Sequence, residues 1–252
     1  MVNESGDSVV RKPLDTVGLV HLLGCGQMRE EHGTLGWSSN YAFLVTISEA
    51  KTSVLAVYKP RRGERPLWDF PDGTLCYREV AAFVVSEALG WQIVPPTVLR
   101  DGSRGIGSVQ LHIHCDPEAN YFTLDERFAD QLRRFAAFDY VINNADRKGG
   151  HCLLDANNHL WGIDHGIGFH TVPKLRTVIW DFAGQPVPEP LLADVQRVCA
   201  EVEDQRNRIR IELDRLLANT EVNALLARMR RLLQRREYPR PGPGPNYPWP
   251  PV

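Results

Sequence analysis

The chain has 252 residues, 43% of them apolar and 24% charged, with a formal net charge of -2. That is enough for one large domain or two small lobes with a buried core, and the near-zero charge excludes a broad electrostatic attraction to nucleic acid or an acidic membrane. Five scattered cysteines without a C-x-x-C pair argue against a disulfide framework or a structural zinc site and for a reducing cytoplasm.

Residues 1–13 are polar, lack the apolar core of a signal peptide, and read as a flexible N-terminal tail. Val17–Leu23, Ala42–Ile47 and Ser53–Tyr58 are short apolar runs between Gly, Ser and Asn punctuation and read as strands. A flexible stretch over 61–73 leads to Tyr77–Leu89, apolar nearly all round and stopped by Gly90, which predicts a buried helix. Pro95 and Pro96 cannot continue it. Thr97–Leu99 and Ser108–Ile113 read as strands around the turn Asp101-Gly102-Ser103. The first half, residues 14–114, is thus expected to be an antiparallel sheet with one helix inserted.

From 115 to 238 the pattern becomes helical. Phe128, Leu132, Phe135, Phe138 and Val141 carry helical spacing over Asp125–Ile142. A polar loop, 143–150, precedes two short strands, Cys152–Leu154 and Leu160–Ile163, with Asn157-Asn158 between them. Leu191 to Arg236 reads as two helices broken near Asn219-Thr220. The Pro- and Gly-dense 239–252 is expected to be extended, poorly ordered and outside the core. No apolar run reaches the about 18 residues that a membrane helix needs. A β-rich lobe meeting a helical one near residue 114 is a place for a ligand cleft.

The chemistry concentrates in two loops. Asn143-Asn144-Ala145-Asp146-Arg147-Lys148-Gly149-Gly150-His151 gathers an acid, two bases and two amides between a helix and a hairpin. It reads either as a functional loop or as a polar turn in which Asp146 caps local amides. In Trp161-Gly162-Ile163-Asp164-His165-Gly166-Ile167-Gly168, an apolar strand runs into an acid followed by spaced glycines. A carboxylate at the end of a buried strand is costly unless a cation settles it, and the alternative is a plain strand-end turn. The two acids are 18 residues apart with a hairpin between them, which can bring both to one rim. Kinases use that order: an acid that orients the acceptor, a hairpin, then an acid that holds metal. Lys59 at a strand end and Glu79 in the buried helix supply the cation for phosphate charge and the acid that would hold it.

These residues resemble the phosphatidylinositol 3-/4-kinase-like superfamily. The similarity is to type II phosphatidylinositol 4-kinases and related bacterial proteins, and more distantly to HipA-type toxin kinases. It runs through Ser38-Ser39-Asn40-Tyr41-Ala42-Phe43, Tyr58-Lys59-Pro60, Tyr77-Arg78-Glu79-Val80-Ala81-Ala82, Ile93-Val94-Pro95-Pro96-Thr97, Gly107-Ser108-Val109-Gln110-Leu111, Asn144-Ala145-Asp146-Arg147 and Ile163-Asp164-His165-Gly166. The resemblance implies an α+β, two-lobed, protein-kinase-like fold that uses ATP with Mg²⁺ or Mn²⁺. It implies Lys59 on the phosphates, Glu79 orienting it, Asp146 as catalytic acid and Asp164 as metal ligand. Ser38, Ser39 and Asn40 would touch phosphates, and Gln110, Leu111, His112 and Ile113 would form the adenine-contacting hinge.

One position departs from the family. Where it places an Asn as second metal ligand, five residues after the catalytic acid, this chain has His151. Imidazole suits Mn²⁺ better than Mg²⁺, and its ligand role would fade as pH falls through a pKa near 6.5 when unperturbed. Three functions stay open: a phosphotransferase acting on a protein or small polar acceptor, a nucleotide-binding regulator, and other ATP chemistry such as hydrolysis or nucleotidyl transfer. Neither nucleic acid nor integral membrane association is expected. Two further features have plain readings. His112 and His114 alternate along a strand and read as its surface. Arg228, Arg230, Arg231, Arg235 and Arg236 read as a solvated helix face, with binding of an acidic or phosphate-bearing partner as the alternative.

Overall fold

The computed structural model describes residues 14–34 and 41–252. The expected flexible tail over 1–13 and the phosphate-loop residues Ser38, Ser39 and Asn40 lie outside them.

Five strands, β1 (Gln27–Thr34), β2 (Phe43–Glu49), β3 (Thr52–Pro60), β4 (Thr97–Gly102) and β5 (Gly105–Leu111), form one antiparallel sheet in the order β1-β2-β3-β5-β4. Inward residues of the middle strands, Phe43, Val45, Ile47, Ala56, Tyr58 and Val109, make a small core of their own. Strand β1 (QMREEHGT) is a polar edge strand that no apolar alternation announces.

Val17–Leu23, expected as a strand, is instead part of helix α1 (Thr16–Cys25). A short apolar run cannot by itself separate the two; the ends decide. The Asp15 side chain accepts from Gly18 N at 2.8 Å, which caps the start. At the other end Arg100 of β4 donates to the carbonyls of Leu23 and Gly26, both at 2.8 Å. Leu22 and Leu23 then complete the sheet's core.

Helix α2 (Leu75–Leu89) is buried on almost every side and ends on Gly90 with φ 71°, a left-handed stop that glycine takes without strain. Its N-terminus is capped from a distance: the Glu64 carboxylate accepts from Leu75 N and Cys76 N at 3.1 and 2.8 Å. Although α2 lies between β3 and β4 in the chain, Ala81, Phe83, Val85 and Leu89 belong to the large core shared with the helical half.

That half consists of α3 (Ala129–Ile142), the hairpin β6 (Cys152–Leu154) and β7 (Leu160–Gly162), then α4 (Glu189–Glu203), α5 (Arg208–Leu216) and α6 (Asn219–Arg235). The expected pair of C-terminal helices is in fact three. The added break precedes Asn207, whose side chain accepts from Ile209 N at 2.9 Å and so caps α5. Residues 239–252, expected outside the core and poorly ordered, instead lie against the helical half. The Asn246 carbonyl accepts from Thr177 N at 3.0 Å and the Pro251 carbonyl from Gly149 N at 2.7 Å. Proline carbonyls remain acceptors although the ring removes the donor. No helix among the described residues is long and apolar enough to cross a membrane.

Candidate functional site

Lys59 stands one residue from the end of β3, opposite Ser108 of β5. Ala56 and Tyr58 point into the sheet's core, so the strand's alternation turns Lys59 to the other face, towards α2. There its Nζ donates to Glu79 Oε1 at 2.7 Å and to Asp164 Oδ1. Burial works to lower the Lys59 pKa, but Asp164 and Glu79 outweigh it and hold the ammonium above its ordinary value. For Asp164 burial pushes upward, and the Lys59 charge wins, leaving the carboxyl well below the usual carboxylate range. The second oxygen of Glu79 accepts from His165 N at 3.0 Å. One carboxylate therefore fixes both Lys59 and the backbone just after Asp164. Asp164 itself has φ 58°, an uncommon left-handed conformation for a residue with a Cβ.

The loop after α3 is held as firmly. Asn143, left-handed at φ 55°, ends the helix and donates to the carbonyls of His170 and Val172, both at 2.8 Å. Asn144 bonds Asp139 Oδ1 at 2.9 Å and accepts from Asp146 N at 3.1 Å. Arg147 and Asp139 form an ion pair with both side chains at 0% exposure. The same guanidinium donates to the carbonyls of His151 and Ile163 at 3.2 and 3.1 Å and lies 2.6 Å from His165 Nε2. Arg147 is thus a buried tie between the loop of Asp146 and the strand end that carries Asp164. Asp139 was not singled out from the sequence. Its signal is a carboxylate four residues after Phe135, on the buried stripe of α3.

Lys59, Glu79, Asp146, Lys148, His151 and Asp164 line one cavity of about 120 Å³. Lys148 Nζ is 3.6 Å from Asp146 Oδ2. Burial pushes the Asp146 carboxyl up to about 6, with Lys148 pulling the other way, so Asp146 is mostly ionised at neutral pH. For His151 burial dominates and brings the ring down to about 4, well below the unperturbed 6.5 that the sequence suggests. The ring is neutral at physiological pH. Its Nδ1 is 2.8 Å from the Asp146 carbonyl, which only accepts, so Nδ1 is assigned the proton; the 3.5 Å contact from Lys148 N is the weaker one. Nε2 then presents its lone pair to Asp164 Oδ2 at 3.3 Å. Two acceptors face each other, and a cation between them would satisfy both. Among the described residues no group of three or more His, Cys, Asp or Glu could hold a metal alone. A two-ligand site suits a metal shared with substrate phosphates.

Residues 110–113 are not brought to this cavity. Gln110 pairs with Val57 on one side and Thr97 on the other, and its side chain donates to Thr97 Oγ1 at 2.9 Å. Leu111 N and His112 N are committed to the carbonyls of Pro96 and Leu55. His112 and His114 do share a face, their ring centroids 5.2 Å apart.

A family profile for phosphatidylinositol 3- and 4-kinase matches residues 103–216. The Mycobacterium tuberculosis protein Rv2133c is 38% identical over 253 residues, covering 86% of this chain and 90% of that protein. Among solved structures, the Helicobacter pylori proinflammatory kinase CtkA is similar with a TM-score of 0.50 and 12% identity, over 86% of this chain and 94% of that one. That likeness is one of fold: a curled antiparallel sheet beside a helical half, as the sequence led us to expect.

Proposed function

The chain belongs to the phosphatidylinositol 3- and 4-kinase-like superfamily, and from that premise we propose that this kinase-like protein transfers the γ-phosphate of ATP to a protein or small polar acceptor. The observation that carries the reading is Lys59 held between Glu79 and Asp164 in a cavity whose rim bears Asp146. Nucleotide phosphates entering there offer Lys59 an anionic partner in place of Asp164, while Glu79 keeps the ammonium aimed. Asp164 and His151 would hold the divalent ion, Mg²⁺ or Mn²⁺, whose contribution is to neutralise charge on the β- and γ-phosphates. Asp146, ionised at neutral pH, receives or orients the acceptor's proton. Its role is positioning, so it bears on turnover more than on nucleotide affinity. The family resemblance puts the adenine side at residues 110–113, outside the cavity around Lys59, and the phosphate loop at Ser38, Ser39 and Asn40.

Calorimetric titration with ATP and each metal tests the assignment. Lys59→Met and Asp164→Asn should each weaken metal-dependent binding by about tenfold or more, whereas Asp146→Asn should leave it unchanged. Equal affinity in wild type and Lys59→Met overturns the role of Lys59. A second reading, a nucleotide-binding regulator, is favoured by His151 standing where the family has Asn. Mass spectrometry after incubation with ATP separates the two. A gain of phosphate in the chain or an acceptor, lost in Asp146→Asn, supports the kinase; wild type and variant equally inert support the regulator.

A further inference from the structure

The basic run near the C-terminus divides by helix face. Arg230 pairs with Glu203 at 2.9 Å and Arg236 with Glu189, as an ordinary solvated face would. Arg228, Arg231 and Arg235, spaced i, i+3, i+7, share the other face of α6. They line a cavity of about 610 Å³ between α6, residues 172–176 and residues 239–246. Lys174, Arg176 and Arg240 line it as well, and the only carboxylate among its lining residues is Glu237. Lys174 is neutralised by Asp69 at 2.7 Å. Among the described residues, none of the five arginines is within ion-pair distance of a carboxylate.

Arg228 shows what the cavity lacks. Its Nε and Nη1 donate to the carbonyls of Val141 and His170 at 2.8 and 3.2 Å. Its Nη2 is buried with no partner among the described residues. A buried guanidinium donor left unpaired is costly, and the uncompensated charge of Arg228 beside the cavity favours an anion there. Burial pulls the Arg228 pKa down to about 10, and the charges of all three α6 arginines act on the phenol of Tyr140, which lines the same cavity. The volume is that of a small-molecule site. It shares no lining residue with the cavity around Lys59, so a ligand here is not the group facing Asp146.

We infer that this cavity is an accessory site for a small anion bearing two or more phosphate groups, gripped by Arg228, Arg231 and Arg235. Guanidinium groups match phosphate oxygens in both charge and fork geometry. The ligand would also stiffen the catalytic loop from behind. Asn143 lines this cavity, and Arg176 N donates to the Asn144 carbonyl at 2.9 Å while Arg147 N donates to the Arg176 carbonyl at 3.0 Å. Residues 239–246 form one wall, anchored where Trp180 Nε1 and Thr177 N both donate to the Asn246 carbonyl at 3.2 and 3.0 Å.

The test titrates the full chain calorimetrically with inorganic tripolyphosphate in EDTA, on a Lys59→Met background that removes the phosphate-binding cation from the other cavity. The parent should bind at one site. Arg231→Gln/Arg235→Gln should bind about tenfold more weakly or worse. Arg230→Gln/Arg236→Gln, the same charge change on the helix and the residue that ends it, should bind as the parent does. Equal weakening in both double variants would reveal general charge attraction and overturn the site, as would no binding by the parent at about 1 mM. Co-sedimentation with vesicles bearing a phosphorylated lipid headgroup separates the sources. Pelleting that tripolyphosphate competes away and the cavity variant lacks assigns a lipid headgroup. Tripolyphosphate binding without pelleting assigns a soluble ligand.

Discussion

Around Asp164 each charge lies against one of opposite sign: Lys59 between Glu79 and Asp164, Lys148 beside Asp146. Around Arg228 five arginines line a cavity whose single lining carboxylate is Glu237, while Lys174 is paired with Asp69. The first arrangement offsets the cost of burying charge within the protein, so a ligand must exchange partners there. The second leaves like charges unbalanced within the protein, with Arg231, Arg235 and Arg240 exposed to water, so a ligand's own charge supplies the gain. The contrast makes stability fall when the shared cation of the first place is removed and change little when an arginine of the second is.

The sharpest break concerns the tie beneath the paired cavity. Arg147→Leu strands the carboxylate of Asp139 at zero exposure and should lower stability by about 3–5 kcal/mol, read as a fall in the urea midpoint. Loss of less than about 1 kcal/mol would mean that water reaches the pair.

Next is Lys59→Met, which leaves Glu79 and Asp164 without their shared cation and should cost about 2 kcal/mol. In Lys59→Met/Asp164→Asn the cost should be smaller than the sum of the single changes by about 1 kcal/mol, because the two act as a unit. Additive urea-unfolding energies would contradict the pairing seen here.

A smaller effect of opposite sign is expected at Asp146. Its folded pKa is raised from 3.8 to about 6. The folded state therefore binds the proton more tightly, and the associated stability is present below pH 3.8 and lost as pH rises through 6. Asp146→Asn escapes that loss. Its Tm should match the wild type at about pH 4 and exceed it by about 2–4 °C at pH 7, roughly 1 kcal/mol. A Tm difference that does not grow over that interval would mean the carboxylate is better solvated than its burial implies.

The smallest change sharpens the other side. Arg235→Gln, with no carboxylate to strand among the described residues, should alter stability by no more than about 0.5 kcal/mol. Added tripolyphosphate should raise the Tm of the wild type and leave that of Arg231→Gln/Arg235→Gln where it was. Equal shifts in both would place the anion elsewhere.

Most of the ordered machinery was legible from residue type and local punctuation. The α2 segment is apolar all round and stops at Gly90, the acid after Ile163 follows an apolar strand, and the loop of Asp146 sits between helical spacing and a hairpin. Each is a local signal, set by periods of 3.6 and 2 and by what glycine and proline permit. The errors fell where ends rather than interiors decide. Helix α1 needed Asp15 and the distant Arg100, and the break before α5 turned on the cap at Asn207.

What the sequence by itself determined is a sheet-rich half followed by a helical one and the set of chemically able residues, because backbone preference and side-chain type act over a few neighbours. The tertiary structure alone decided how those residues are charged and partnered. Burial lowers His151 to about 4 and raises Asp146 to about 6, and a backbone carbonyl sets the tautomer that turns Nε2 towards Asp164. It also split the arginines of α6 and its C-cap into two paired with carboxylates and three facing a shared cavity. Desolvation and Coulomb energy depend on distance in space, and the chain's contacts 20 to 105 residues apart, Lys59 with Glu79 and with Asp164, exist only once it has folded.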